Sequence, residues 1–133
     1  MRPNTLLKIS SELLNQASKE LDNEFQEGLS RTSIEKSYYY AFLAIREALN
    51  DMNYPTDSND NTHSQVILGI KSICGIGYSR MLRSLRTNRN EATYNLSIQL
   101  KITNAKQNAT DASNLISQLS KTKNLGPLIM NYL

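Results

Sequence analysis

The sequence predicts an all-α protein, an antiparallel up-and-down bundle of about five helices. Three observations carry that prediction. Apolar residues recur at three-and-four spacing through five separate segments of the chain. No segment alternates apolar and polar residues with period two. No Asn-Gly or Asp-Gly pair joins two apolar runs, so hairpins have no turn to form on.

In the first segment Leu6, Ile9, Leu13, Ala17, Leu21 and Phe25 form one stripe, widened by Leu7 and Leu14. Asn4 or Thr5 caps its start after Pro3, and Gly28 is placed to end it. The second helix is expected over residues 30–53, where Ile34, Tyr38, Ala41, Phe42, Ile45, Ala48, Leu49 and Met52 share a broad face. Ser30, Thr32 or Ser33 can cap it, and Pro55 forbids a long continuation. Residues 53–62, NYPTDSNDNT, read as an exposed connection. A third helix over residues 64–74 shows Val66, Ile67, Ile70 and Ile73, and the paired glycines of CGIGY mark a break. Tyr78, Met81, Leu82 and Leu85 define a fourth helix ending near Arg89 and Asn90. A long fifth helix over residues 97–121 is lined in its middle with alanine, which permits close approach to a neighbour. The apolar tail within residues 122–133 either docks across the bundle or sits in a partner's groove.

At 133 residues, with 39% hydrophobic and 20% charged residues, the chain is expected to fold as one soluble domain over residues 1–133. No apolar run approaches the roughly 18 residues that cross a bilayer. Residues 1–14 interrupt their leucines with Asn4, Ser10, Ser11 and Glu12, unlike a secretory signal, so a cytoplasmic location is expected. One cysteine, Cys74, and one histidine cannot supply the usual zinc spacings, and nothing points to a metal or a cofactor. Cys74 reads as a small buried apolar residue.

Charge is divided unevenly. Residues 1–60 hold six Lys/Arg against ten Asp/Glu, a balance of −4, whereas residues 61–133 hold nine against two, a balance of +7. No acid lies between Asp60 and Glu91, yet Lys71, Arg80, Arg83, Arg86 and Arg89 all do. Such a block suits an anionic partner, phosphate above all, although the same arginines can pair with acids of the first half or of a partner subunit. Arginines at every third position fan around one side of a helix, which fits a curved phosphate backbone, while Leu82 and Leu85 mark the opposite side as core.

The stretches SIEKSYYYAFLAIREAL, THSQVI and SRMLRSLRTNRNEATY, followed by an alanine-rich closing helix, occur in the order and spacing of the HEPN superfamily. The resemblance runs from Tyr38 to about Leu119, and the aromatic YYYAF and the RN...Y pattern are its specific parts. It implies a small helical bundle that forms a homodimer and binds RNA or a nucleotide. Many such proteins are metal-independent ribonucleases, including toxins paired with a nucleotidyltransferase-type antitoxin and nuclease parts of defence systems. Their motif is an arginine followed, after four to six residues, by a histidine. Here Arg89 matches the arginine and Asn90 its polar neighbour, but positions 94–96 are Tyr94, Asn95 and Leu96.

Without that histidine, Arg89 can still stabilise charge on phosphorus, because its guanidinium is always charged and forks onto two oxygens. Tyr94 is a poor base, with a reference pKa of about 10. Proton transfer contributes about 10²- to 10⁴-fold, so its loss leaves a weak enzyme or none. His63 is the other candidate proton carrier; its alternative reading is a helix-start residue satisfying free backbone groups beside Asn61 and Thr62. Tyr38 is expected in the core, with Tyr39 or Tyr40 reaching the cleft or a dimer seam. Three functions follow: a slow HEPN-type ribonuclease, a non-catalytic RNA- or nucleotide-binding member of that fold, and a structural helical adaptor.

Overall fold

The computed structural model describes residues 1–56 and 61–133 of the chain. Its elements are α1 (Pro3–Lys19), α2 (Asn23–Asp51), α3 (Thr62–Cys74), α4 (Ile76–Tyr94), α5 (Ile102–Leu119), the short α6 (Gly126–Ile129) and a 3-10 turn (Met130–Tyr132). Among the described residues there is no strand, in keeping with the all-α expectation. The helices pack together around α2, which touches α1, α3, α4, α5 and α6. None of them is long and apolar enough to cross a membrane.

The centrality of α2 follows from its side chains. Ser33, Ile34, Ser37, Tyr38, Tyr40, Ala41, Phe42, Ala44, Ile45, Ala48 and Leu49 are buried, and they point in several directions from one helix. Serine and alanine keep several of those directions thin, so neighbouring backbones come close. Against α1 the contact is a reciprocal one: Ser10 Oγ donates to Ser33 O at 3.0 Å, and Ser33 Oγ donates to Ser10 O at 3.0 Å. Both serines are fully buried, and each hydroxyl is satisfied without a charge. Gly69 of α3 lies against α2 and the residues after it, since a Cβ there would come within 2.9 Å of Leu49 Cδ1 and 3.0 Å of Tyr54 Cε1.

Several boundaries differ from those the sequence predicts. Gly28 does not end the first helix; it lies inside α2, and the break falls at residues 20–22. Asp22 is the cap, its carboxylate accepting from Phe25 N at 2.9 Å, while Ser30 and Ser33 are buried inside the helix. An aspartate with a free first turn beyond it outcompetes serines three turns on that are needed for packing. Leu21 and Phe25, expected in the core stripe of the first helix, are 95% and 60% exposed as a result of that break. Helix α3 begins at Thr62 rather than Ser64, and α5 spans 102–119 rather than 97–121. The break at CGIGY is as expected: Gly75 has φ +109°, a conformation that L side chains rarely adopt, and it closes α3. Residues 57–60 of the expected polar connection lie outside the described residues.

Helix α4 does not stop at Arg89 and Asn90 but runs to Tyr94. Arg31 of α2 explains how it can. Its Nη1 donates to the carbonyls of Ala92 at 3.0 Å, Asn95 at 3.1 Å and Glu91 at 3.3 Å, and its Nη2 donates to Ile98 O. One guanidinium therefore satisfies the carbonyls a helix leaves open at its end, and brings charge of the right sign to that end. Glu27, one turn earlier, pairs with Arg31 at 3.4 Å and accepts from Leu100 N at 2.6 Å, so the same two residues of α2 hold the loop into α5.

Of the two readings of the tail, the structure takes docking on its own bundle. Leu125 and Ile129 are fully buried, each contributing about 1.5–3 kcal/mol by burial. Tyr132 Oη donates to Asp51 Oδ2 at 2.5 Å at the end of α2. Cys74 is half-buried at the edge of the core rather than within it.

Candidate anion-binding site

The site lies where the middle of α2, the first turn of α3 and the second half of α4 meet. From α2 come Tyr38, Tyr39, Phe42 and Arg46, whose spacing over two turns puts them on neighbouring rows. His63 enters from α3. Its ring stacks on Phe42 with centroids 4.4 Å apart and planes 20° apart, and lies at 22° to Tyr38 with centroids 5.7 Å apart. Tyr38 Oη and His63 Nδ1 are 2.6 Å apart, a hydrogen bond in which either atom can be the donor. Its ring thus bonds a side chain of α2, not the open backbone groups of its own helix. Beside it Thr62 Oγ1 is buried without a hydrogen-bond partner among the described residues.

Arg89 of α4 lies over this aromatic layer. Its guanidinium carbon is 5.1 Å from the ring centroid of Tyr39, 5.6 Å from that of Tyr38 and 6.0 Å from that of Tyr94. Nη1 donates to Asn90 Oδ1 at 2.6 Å and Nη2 donates to Tyr39 Oη, so Asn90 orients the arginine. Nε is buried and has no hydrogen-bond partner among the described residues. Among the described residues no carboxylate pairs with Arg89; the ion pairs there are Arg31 with Glu27, Lys36 with Glu35, and Arg46 with Glu47. The charge is held by aromatic faces and neutral acceptors alone.

The cations change the neighbouring titrations. Burial, and then the charges of Arg86, Arg89 and Arg46, lower the His63 pKa from 6.5 to about 4. Burial raises that of Tyr38, against the opposing pull of Arg86 and Arg89. Both groups are neutral near pH 7, so the hydrogen bond between them is a neutral one and the positive charge belongs to the arginines.

The other basic residues fall into two groups. Arg86 reaches Ser64 Oγ with Nη1 at 3.3 Å, and with Arg83, Thr87 and Asn90 it lines an open groove of about 440 Å³ between α3 and α4. Arg80 and Arg83 line a second groove of about 410 Å³ farther round α4, with Ser84, Thr87 and Asn88. Lys71 is exposed on α3 two turns beyond Ser64 and lines neither groove. Tyr94 is 73% exposed, touching the site only through its ring over Arg89. The structure therefore gathers His63, Arg86, Arg89 and Asn90, sets Arg80 and Arg83 alongside, and leaves Lys71 out.

Arg46 is a site residue that sequence reasoning missed. Its guanidinium carbon lies 5.9 Å from the Phe42 centroid, and its charge acts on His63. The signal was present: Tyr39, Phe42 and Arg46 are three and four apart, one row of a helix. Chemically the arrangement offers fixed guanidinium donors, two hydroxyls and one neutral imidazole. It is suited to holding an oxyanion, with His63 Nε2 as the ring nitrogen left without a partner among the described residues.

Comparison with protein-family models, with curated proteins and with solved structures found no match for this chain.

Proposed function

We propose that the chain is a HEPN-like antiparallel bundle that binds single-stranded RNA through its phosphates, with Arg86, Arg89 and Arg83 as the contacts. One observation carries this reading: Arg89 is half-buried, unpaired with any carboxylate among the described residues, and has a buried N–H without an acceptor. A guanidinium held away from water without a counter-charge is costly unless an anion supplies it. The resemblance of SIEKSYYYAF and RTNRNEATY to HEPN sequences supports RNA as the source of that anion, and the exposed ring of Tyr94 beside Arg89 offers a face on which a base stacks.

Any cleavage is slow and metal-independent. Attack of a ribose 2′-hydroxyl on the adjacent phosphorus needs a base for its proton and donors for the equatorial oxygens. Arg89 and Arg86 serve as the donors. His63 Nε2 is the base when Nδ1 donates to Tyr38, but a pKa near 4 makes it a weak one. Tyr94, 73% exposed and of a residue type whose reference pKa is about 10, is the weaker candidate for the proton transfer. Under this reading the protein acts in the cytoplasm as a homodimer, alongside a nucleotidyltransferase-type partner in a toxin–antitoxin or defence setting. The adaptor reading has Arg89 and Asn90 serving buried carbonyls; Arg89 donates instead to Asn90 Oδ1 and Tyr39 Oη.

The test is binding and cleavage of a mixed single-stranded RNA in chelator. Wild-type protein binds it with affinity falling steeply as salt rises, and Arg89→Ala weakens binding by about 10-fold while lowering the salt slope by about 0.7. Equal binding by the variant, or no binding by a well-folded wild type, overturns the proposal.

A further inference from the structure

The second half of the chain has two acids, Glu91 and Asp111, among nine cations, and both line one pocket. The pocket lies between α4 and α5, has a volume of about 180 Å³, and is completed by Asn88, Asn104, Gln107 and Asn108. Ile34 and Leu100 give it apolar walls. Neither acid forms an ion pair among the described residues. Its size, below the roughly 300–1,000 Å³ of sites for drug-sized ligands, suits one planar ring system.

The polar atoms that remain open are unevenly divided. Asn108 is buried and fully engaged, donating to Ser37 Oγ at 2.8 Å and accepting from Asn88 Nδ2 at 3.2 Å. Asn88 therefore keeps an amide oxygen for a ligand. Gln107 Nε2 donates to Asp111 Oδ1 at 2.8 Å, leaving the Gln107 oxygen and the second Asp111 oxygen as acceptors. Asn104 Oδ1 accepts from Lys101 N at 2.9 Å, leaving its amide nitrogen as a donor. The Glu91 carboxylate is unengaged among the described residues. The pocket thus offers the Asn88, Gln107, Asp111 and Glu91 oxygens as acceptors and the Asn104 amide as its wholly unengaged donor group, with Ile34 and Leu100 as its apolar lining.

It is also continuous with the basic surface. Arg83 and Thr87 line both grooves on α4, and Asn88 lines the second groove and this pocket. A strand on Arg86 and Arg83 passes over Thr87 to arrive at Asn88.

We propose that this pocket is a guanine-base site, filled by a base of the same strand whose phosphates lie on Arg83 and Arg86. The inference rests on the RNA-binding reading for its source of ligand. Guanine presents N1–H and its 2-amino group side by side, two donors that meet both oxygens of one carboxylate, here Glu91. Its O6 accepts from the Asn104 amide, and Ile34 and Leu100 cover its faces. Adenine and cytosine turn a ring nitrogen lone pair toward the carboxylate, and uracil offers a single N–H between two carbonyls. Single-stranded bases are read on such edges by side chains of this kind.

The experiment measures binding of short oligouridylate carrying one central guanosine, inosine, adenosine, cytidine or uridine, to wild type and to Glu91→Gln and Gln107→Ala. Both substituted side chains are exposed, so the fold is retained. The guanosine strand binds about 10-fold tighter than the all-uridine strand, inosine loses most of that gain because it lacks the 2-amino group, and Glu91→Gln collapses the difference. Equal binding of all five strands overturns the base site and leaves the phosphate reading standing. If no strand binds, the phosphate reading has failed, and titration of free guanosine against the Asn104 and Gln107 side-chain amide signals decides the base site alone: shifts in both support it, silence overturns it.

Discussion

The phenol oxygen of Tyr38 and Nδ1 of His63 lie 2.6 Å apart, joining the middle of α2 to the first turn of α3. The tyrosine is fully buried and the histidine is half-buried against it. Burial disfavours the charged form of each, and the three nearby arginines disfavour a protonated imidazole further. A ring that stays neutral beside Arg86 and Arg89 leaves their charge available to a ligand.

Stability should therefore fall on mild acidification. The folded pKa of His63, near 4, lies below its ordinary 6.5, so the unfolded chain takes up the proton first. The contribution is fully present above pH 6.5 and is lost as the pH falls toward 4. Thermal melts between pH 7 and pH 4 will show a steeper decline for wild type than for His63→Gln, which keeps a hydrogen-bonding group for Tyr38 but cannot titrate. Parallel declines would remove His63 as the cause.

A bound anion should raise the same pKa. Negative charge beside the imidazole offsets the arginines that oppose protonation. His63 is the chain's one histidine, so its ring protons report without ambiguity. Their midpoint, near pH 4 in the free protein, moves upward when short oligouridylate is added, and about 10-fold more of it is needed for the same movement in Arg89→Ala. A midpoint that stays put in wild type at saturating oligouridylate would refute the contact.

Arg31 should be the most costly arginine to remove. Its side chain is 12% exposed and donates to four carbonyls at the end of α4 and in the loop beyond. Arg31→Ala leaves the part-buried carbonyls of Ala92 and Ile98 without their donor and lowers stability by about 1–3 kcal/mol, on the order of 5–10 °C in Tm. Arg31→Lys recovers little of it, since one ammonium cannot span that fan. A shift of a degree or two would refute the bracing role.

Gly126→Ala should release the tail. A Cβ there would lie 2.5 Å from the backbone oxygen of Ser120, an atom that cannot turn aside. The strain is relieved only by moving α6, which exposes Leu125 and Ile129. The variant loses about 1–3 kcal/mol and is cut by trypsin after Lys121 and Lys123 faster than wild type.

The sequence by itself determined the helical class, the long second helix, the break at Gly75 and the acid-free run of arginines. Each follows from local periodicity, a single φ requirement or a count of charges, none of which needs a neighbour. Tyr38 belongs here too, a core position read from spacing alone. The tertiary structure decided the rest. Gly28 is read locally as a helix end, yet it continues α2 because Asp22 supplies the better cap and Ser33 is wanted against Ser10. Helix α4 passes Asn90 because Arg31, some 60 residues earlier, satisfies its last carbonyls. Arg89 and Lys71 look alike as charges in a row, but only Arg89 meets the tyrosines of α2. The partners of a charge are set by how helices cross, and that depends on contacts between residues far apart in the chain.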